Sequence, residues 1–185
     1  MPRNPYRQRE DLSHLGSASH EKPIFDPYKD KSCLFFSCGS PKNVREVLDV
    51  GINDVLVSYH YLKKNLRVFN DELLPDIKSR GGIFMSDSGA FSVINAKGKD
   101  FTEEMVHKEY WEDYVAEYAS WVYENRANIY VAANMDLDNI VGREAVDEWN
   151  EKYFKPLEKY VNICYVVQKD NWGTYSDPTG TNRLR

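Results

Sequence analysis

The chain has 185 residues, 42% of them apolar and 14% aromatic, with a formal net charge of -5 and a pI near 5.4. That content can bury one sizeable core, so one domain is expected, and the acidic balance excludes a generally basic nucleic-acid-coating surface while leaving room for a local basic patch. No apolar run approaches the roughly 20 residues that span a bilayer and the polar N-terminus lacks a signal-peptide pattern, which predicts a cytoplasmic protein without a membrane partner.

In chain order, residues 1–30 are rich in Pro, Ser, His and charge and read as a flexible arm with local packing near Ile24 and Phe25. Residues 33–38 form a first strand. Ser40 and Pro41 then supply an N-cap and a first-turn proline for a helix that buries Val44, Val47 and Leu48 and stops at Gly51. A second strand follows at 54–59, a short helix at 73–79 and a third strand at 82–86. Thr102 caps a long helix over 103–125, whose apolar stripe is Val106, Tyr110, Tyr114, Val115, Tyr118 and Val122; a stripe at this period is a packing face in preference to a base-stacking ladder. A fourth strand at 128–135, a helix at 144–159 interrupted near Pro156, and a fifth strand at 162–167 complete the pattern, with 171–185 as a loop or tail.

Strands alternating with helices predict an α/β fold of right-handed βαβ units around a parallel sheet. An eight-stranded barrel takes about 250 residues, so about five βα units amount to a partial TIM (β/α) barrel over 31–170, with two open edges. Cys33, Cys38 and Cys164 form no CxxC pair and are expected to be buried thiols. Neither they nor His14, His20, His60 and His107 have metal-ligand spacing, and no metal site is expected within the chain.

The chemistry-bearing residues cluster at predicted strand ends. Residues 83–92 read Ile-Phe-Met-Ser-Asp-Ser-Gly-Ala-Phe-Ser, an apolar run that breaks into Asp87, Ser88 and Gly89. Tyr59 and His60 end the second strand, Asp136 and Asp138 the fourth, and Gln168 the fifth. In parallel α/β folds this is the edge where sites are built.

The order Tyr59-His60, Asp87-Ser88-Gly89-Ala90-Phe91, an acid, then Val167-Gln168 resembles the queuine/archaeosine tRNA-guanine transglycosylases. It is most similar to their DNA-modifying phage and bacterial relatives, the deoxypurine-in-DNA protein A group, over residues 33–170. The resemblance implies exchange of guanine for a 7-deazaguanine such as 7-cyano-7-deazaguanine in DNA or tRNA, in a bacterial or phage-infected host cytoplasm. It makes Asp87 the catalytic acid that handles protons or orients the bases, with Ser88 and Gly89 lining the base and Phe91 stacking on it. Asp136 or Asp138 would accept from the guanine-like edge and Gln168 would contact the ring carbonyl. It also implies that the chain is the N-terminal portion of such a barrel. The nucleophilic carboxylate and the cysteine-rich zinc site of the family come later, which leaves three readings open, a split enzyme completed by a second polypeptide, a truncated or interrupted gene product, or a degenerate binding module, and no cofactor is expected here.

Competing readings accompany these. Asp87-Ser88-Gly89 also suits a plain turn. Asp136 and Asp138 also suit a DxD cation clamp, although no phosphate-binding glycine loop accompanies them. Tyr59 and His60 also suit packing, and the absence of a GxSxG elbow argues against a hydrolase. Lys63, Lys64 and Arg67 after the second strand, with Lys97 and Lys99 after the third, would grip phosphates or simply line a solvated loop. The alternative function is a non-catalytic base-binding or assembly subunit of a split enzyme.

Overall fold

The structure is a computed structural model that describes residues 34–90, 92–93 and 102–166. Strands β1 (Phe36–Cys38), β2 (Val55–Ser58), β3 (Phe84–Asp87), β4 (Val131–Ala133) and β5 (Asn162–Cys164) form one all-parallel sheet in that order. The registers set Cys38 opposite Val57, Ser58 opposite Asp87, Ser86 opposite Ala132 and Ala133 opposite Cys164. The expected arm at 1–30 and tail at 171–185 lie outside the described residues, as do Cys33 and Val167.

Helix α1 (Pro41–Asp49) forms as its sequence dictates. The Ser40 hydroxyl accepts the Asn43 N–H at 3.2 Å, Pro41 occupies the first turn, and Val44, Val47 and Leu48 are buried. Gly51, at φ 84°, turns the chain away after Val50.

The path from β2 to β3 departs from expectation. Helix begins at Tyr59, not near residue 73: α2 (Tyr59–Leu62), a tight turn at Lys63–Asn65, α3 (Leu66–Val68), a widened π-turn at Phe69–Leu73 and α4 (Leu74–Ser79) follow without a break. Pro75 stands just beyond the π-turn. Its ring cannot sit against a carbonyl four residues back, and a widened turn accommodates it. The helix after β4 repeats the device. There α6 (Asp138–Val141) leads to α7 (Arg143–Trp149), which runs into a π-turn at Asn150–Phe154 and a tight turn at Lys155–Lys159 that holds Pro156. The expected interruption therefore starts six residues ahead of the proline.

The long helix is α5 (Lys108–Glu124), shorter than expected. A tight turn at Glu103–Val106 precedes it, and His107, with extended backbone at ψ 135°, separates the two. The Thr102 side chain makes no capping bond. This break rotates the stripe: Val106 and Tyr110 are exposed, while Trp111, Val115, Tyr118, Ala119, Trp121 and Val122 form the buried face.

Each strand pairs with the next in sequence, so the order never reverses and no switch point arises. Right-handed connections then place every crossover on one side of the sheet. Burial agrees. Val55, Val57, Phe84, Ser86 and Ala132 face the helices and are buried, with Phe36 exposed at the β1 edge, whereas of their alternates Leu56, Met85, Val131 and Asn162 are half-buried, Ser37 and Cys164 exposed, and only Ser58 and Ala133, at the strand ends, buried. Parallel sheets ordinarily cover both faces. Cys164 thus corrects one part of the expectation of buried thiols: it is exposed, on the less covered face of β5, whereas Cys38 is buried and Cys33 lies outside the described residues. No helix among the described residues is long and apolar enough to cross a membrane.

Candidate functional site

The C-terminal ends of β2, β3 and β4 meet around Asp87. As the last residue of β3, Asp87 lies beside Ser58 in the register, and its Oδ2 accepts the Gly89 N–H at 3.2 Å. Burial raises its carboxyl above the ordinary value; the Gly89 N–H, the Ser58 hydroxyl and the Ser88 N–H offset part of that rise.

Gly89 makes the turn possible. Its φ is 82°, and a β-carbon there would lie 2.6 Å from Ser58 Oγ and 2.8 Å from the His60 nitrogen. The β2 and β3 ends are therefore in direct backbone contact, which only glycine permits. Ser88, wholly buried, is turned toward β4. Its Oγ accepts the Ala90 N–H and donates to Asp136 Oδ1, both at 3.4 Å.

Asp136 is half-buried and its carboxyl is pushed up to about 6. Burial is the chief cause and the charge of Asp87 the next; its own backbone N–H and the Ser88 hydroxyl act the other way, and Asp138 adds a smaller push. The expectation that strand alternation sets Asp136 and Asp138 on one face fails, because β4 ends at Ala133. Asp136 lies in the following loop, and Asp138 is the first residue of α6 with only 4% exposure. Asp136 is thus the acid that shares a hydrogen bond with the Asp87-Ser88 turn.

Tyr59 is core. Its ring contacts Tyr114, Tyr118 and Trp121 at centroid distances of 5.0–5.6 Å, and it is buried. His60 stands half-buried at the mouth, against Gly89. Burial, then the charge of Lys64, lowers its pKa.

The basic residues after β2 do not form a uniform patch. Lys63 pairs with Glu117 and lies 5.3 Å over the Tyr114 ring, Arg67 pairs with Asp71 at 3.6 Å, and Lys64 is exposed. Phe91, Lys97, Lys99 and Gln168 lie outside the described residues.

No protein-family model matches the chain, and no curated protein or solved structure does either.

Three further residues shape the site, of which Tyr114 and Tyr118 were expected only to pack and Asn134 was not expected at all. The Tyr114 hydroxyl donates to the Ser88 carbonyl at 2.8 Å, and the Tyr118 hydroxyl reaches the carbonyls of Ser86 at 3.1 Å and Ala133 at 3.0 Å. Asn134, buried directly after β4, bonds Asn150 at 3.0 Å and accepts the Val166 N–H at 2.8 Å. An asparagine inside the apolar run Val131–Met135 was the available signal, since a buried amide requires partners. A cleft between α1 and α4 holds Arg45, Glu72, Asp76 and Arg80, but these pair with one another and lie away from the strand ends. Among the described residues no group of three or more His, Cys, Asp or Glu side chains could hold a metal ion.

Proposed function

We propose that this chain is a guanine-transglycosylase-like base-exchange module, with Asp87, Ser88, Gly89 and Asp136 forming the pocket for a guanine or 7-deazaguanine base drawn from DNA or tRNA. The observation that carries the reading is the hydrogen bond from Ser88 to Asp136 beside Asp87, which gathers two carboxylates and a hydroxyl at adjacent parallel strand ends. A guanine-type edge offers two neighbouring N–H donors and a carbonyl. An ionised carboxylate accepts the first pair, and a second, protonated at the right moment, serves proton transfer. Their mutual repulsion is what separates the two protonation states.

Asp136 suits the base ligand better than Asp138, because it is half-buried and tied to Ser88 while Asp138 is enclosed in α6. Asp87 remains the catalytic acid of the proposal. We assign no sugar-attacking nucleophile, and since the described residues offer no zinc cluster, no step passes through that metal.

We read the architecture as part of a (β/α) barrel. Sequential strand order, crossovers on one side and a less covered opposite face all support that reading, for the opposite face corresponds to a barrel interior. The same face, and the position of β1 and β5 as the edge strands among the described residues, also support the alternative of a base-binding or assembly subunit completed by a second polypeptide.

Calorimetric titration of 7-cyano-7-deazaguanine into the parent chain, Asp87→Ala and Asp136→Asn separates these outcomes. Binding by the parent that both substitutions abolish supports the pocket. A folded parent that binds no deazaguanine removes the base-exchange reading.

A further inference from the structure

The tyrosines of α5 were expected to be packing. Two of them do more than fill space. Tyr114 and Tyr118 lie one helical turn apart, so both point from α5 to the same stretch of sheet. Tyr114 donates to the carbonyl of Ser88, immediately after β3. Tyr118, wholly buried, places its hydroxyl between the carbonyl of Ser86 in β3 and that of Ala133 in β4, at 3.1 and 3.0 Å.

The position of this bridge is informative. The last β3–β4 ladder pair is Ser86 opposite Ala132, so the hydroxyl of Tyr118 sits where the ladder ends. Asp87 follows Ser86 by one residue and Asp136 follows Ala133 by three. The two acids therefore hang from the strand ends that the hydroxyl joins.

We infer that Tyr114 and Tyr118 are positioning residues that clamp the ends of β3 and β4 and so fix the spacing of Asp87, Ser88 and Asp136. The inference rests on the base-pocket reading for its function, but the clamp itself is independent of any ligand. One tyrosine holds the turn that carries Asp87 and Ser88, and the other, its single proton shared between the Ser86 and Ala133 carbonyls, ties that turn's strand to the one leading to Asp136. Both phenols remain protonated donors, since burial raises them far out of the physiological range. The charged and titratable groups around the pair are Tyr59, Asp87 and Glu117, with Lys63 over the Tyr114 ring, and those acting on Asp136 are Asp87 and Asp138.

The test is the carboxyl titration of Asp136, followed by carbon NMR in the full chain without ligand, for the parent, Tyr114→Phe, Tyr118→Phe and Tyr123→Phe. Phenylalanine keeps the ring and removes only the hydroxyl. The clamp predicts that the Tyr114 and Tyr118 variants move the Asp136 titration down toward the ordinary carboxylate range, as repulsion from Asp87 relaxes and water enters, while Tyr123→Phe leaves it in place. Folded Tyr114 and Tyr118 variants with an unchanged titration, whatever their melting temperature, overturn the clamp, and so does an equal shift in Tyr123→Phe. Should Tyr118→Phe not fold, Tyr114→Phe, on the half-buried side, decides alone. Weakened deazaguanine binding in the shifted variants extends the clamp to the base pocket. A shift in a chain that binds no base leaves the clamp standing and removes only the base-pocket reading.

Discussion

Gly89 passes so close to His60 that a β-carbon at position 89 would lie 2.8 Å from the His60 amide nitrogen. Gly89→Ala should therefore destabilise the protein through two separate effects. A left-handed φ costs an L-residue about 1–2 kcal/mol, and forcing a methyl against the Ser58 hydroxyl and the His60 backbone adds roughly 1–3 kcal/mol. Urea unfolding would read the sum. A loss below about 0.5 kcal/mol would show that the β2 and β3 ends are not in the contact described.

Asp136 gives a pH signature whose sign follows from its raised carboxyl. Its pKa moves from 3.8 to about 6 on folding, so the folded state holds its proton longer than the unfolded chain does. The stability this group supports is complete below about pH 4 and is lost as pH rises through 6. Asp136→Asn should then be more stable than the parent at pH 7–8, with the difference vanishing below about pH 4. Paired denaturation curves across that range check it. An Asn variant less stable than the parent at pH 8 would mean that Asp136 is not held up by burial and Asp87.

Base binding should show the opposite trend, because the guanine-type edge needs the ionised acid. Affinity of the parent for 7-cyano-7-deazaguanine should rise as pH passes upward through about 6, and Asp136→Asn, which cannot ionise, should bind at neither end of that range. A pH-independent affinity in the parent would detach Asp136 from the ligand.

How much of this was legible in the sequence depends on how local each signal is. The Ser40-Pro41 start and Gly51 stop of α1 are rules about consecutive residues, and they hold in the structure. The acid at Asp87 was legible for the same reason, as a charge ending an apolar run. The helix from Tyr59 onward was not, since Lys63-Lys64-Asn65 and Asn70-Asp71-Glu72 interrupt its apolar pattern and the π-turn before Pro75 shifts the spacing. Helix periodicity assumes a constant 3.6 residues per turn, and that turn breaks it. The break at His107 misled in the same way, placing Val106 and Tyr110 on the wrong face. The bond from Ser88 to Asp136 joins residues 48 apart and depends on the β3–β4 register, for which the sequence has no local sign.

Glu112 links α5 to the π-turn that follows α7. Its carboxylate accepts from Trp149 Nε1 at 2.8 Å, from Lys152 and from the Tyr153 hydroxyl. Burial pushes its carboxyl up, but Lys152, Tyr153 and Trp149 outweigh that and hold it below 4.5. Here the sign reverses: the stability is present above about pH 4.5 and is lost as pH falls. Glu112→Ala leaves the N–H of the buried Trp149 without its acceptor and should cost about 1–3 kcal/mol at pH 7, shrinking in acid. A pH-independent cost, measured by urea unfolding at pH 7 and in acid, would contradict the carboxylate's role.

Asn134 ties three elements together from one buried position. Its amide nitrogen donates to Asn150 at the start of the π-turn, and its oxygen accepts the Val166 N–H just beyond β5. The pairing of β4 with β5 covers only three residue pairs, so this side chain extends the contact past the ladder's end. Two substitutions separate its two bonds. Asn134→Ala removes both and should cost roughly 0.5–1.5 kcal/mol, because the half-buried partners Asn150 and Val166 lose their bonds and are only partly reached by water. Asn134→Asp keeps the oxygen that accepts from Val166 and loses the donor to Asn150. Amide exchange at Val166 should accordingly quicken in the Ala variant and stay slow in the Asp variant, relative to neighbouring β5 amides. Equal exchange in both would show that the β5 end is held by something other than Asn134.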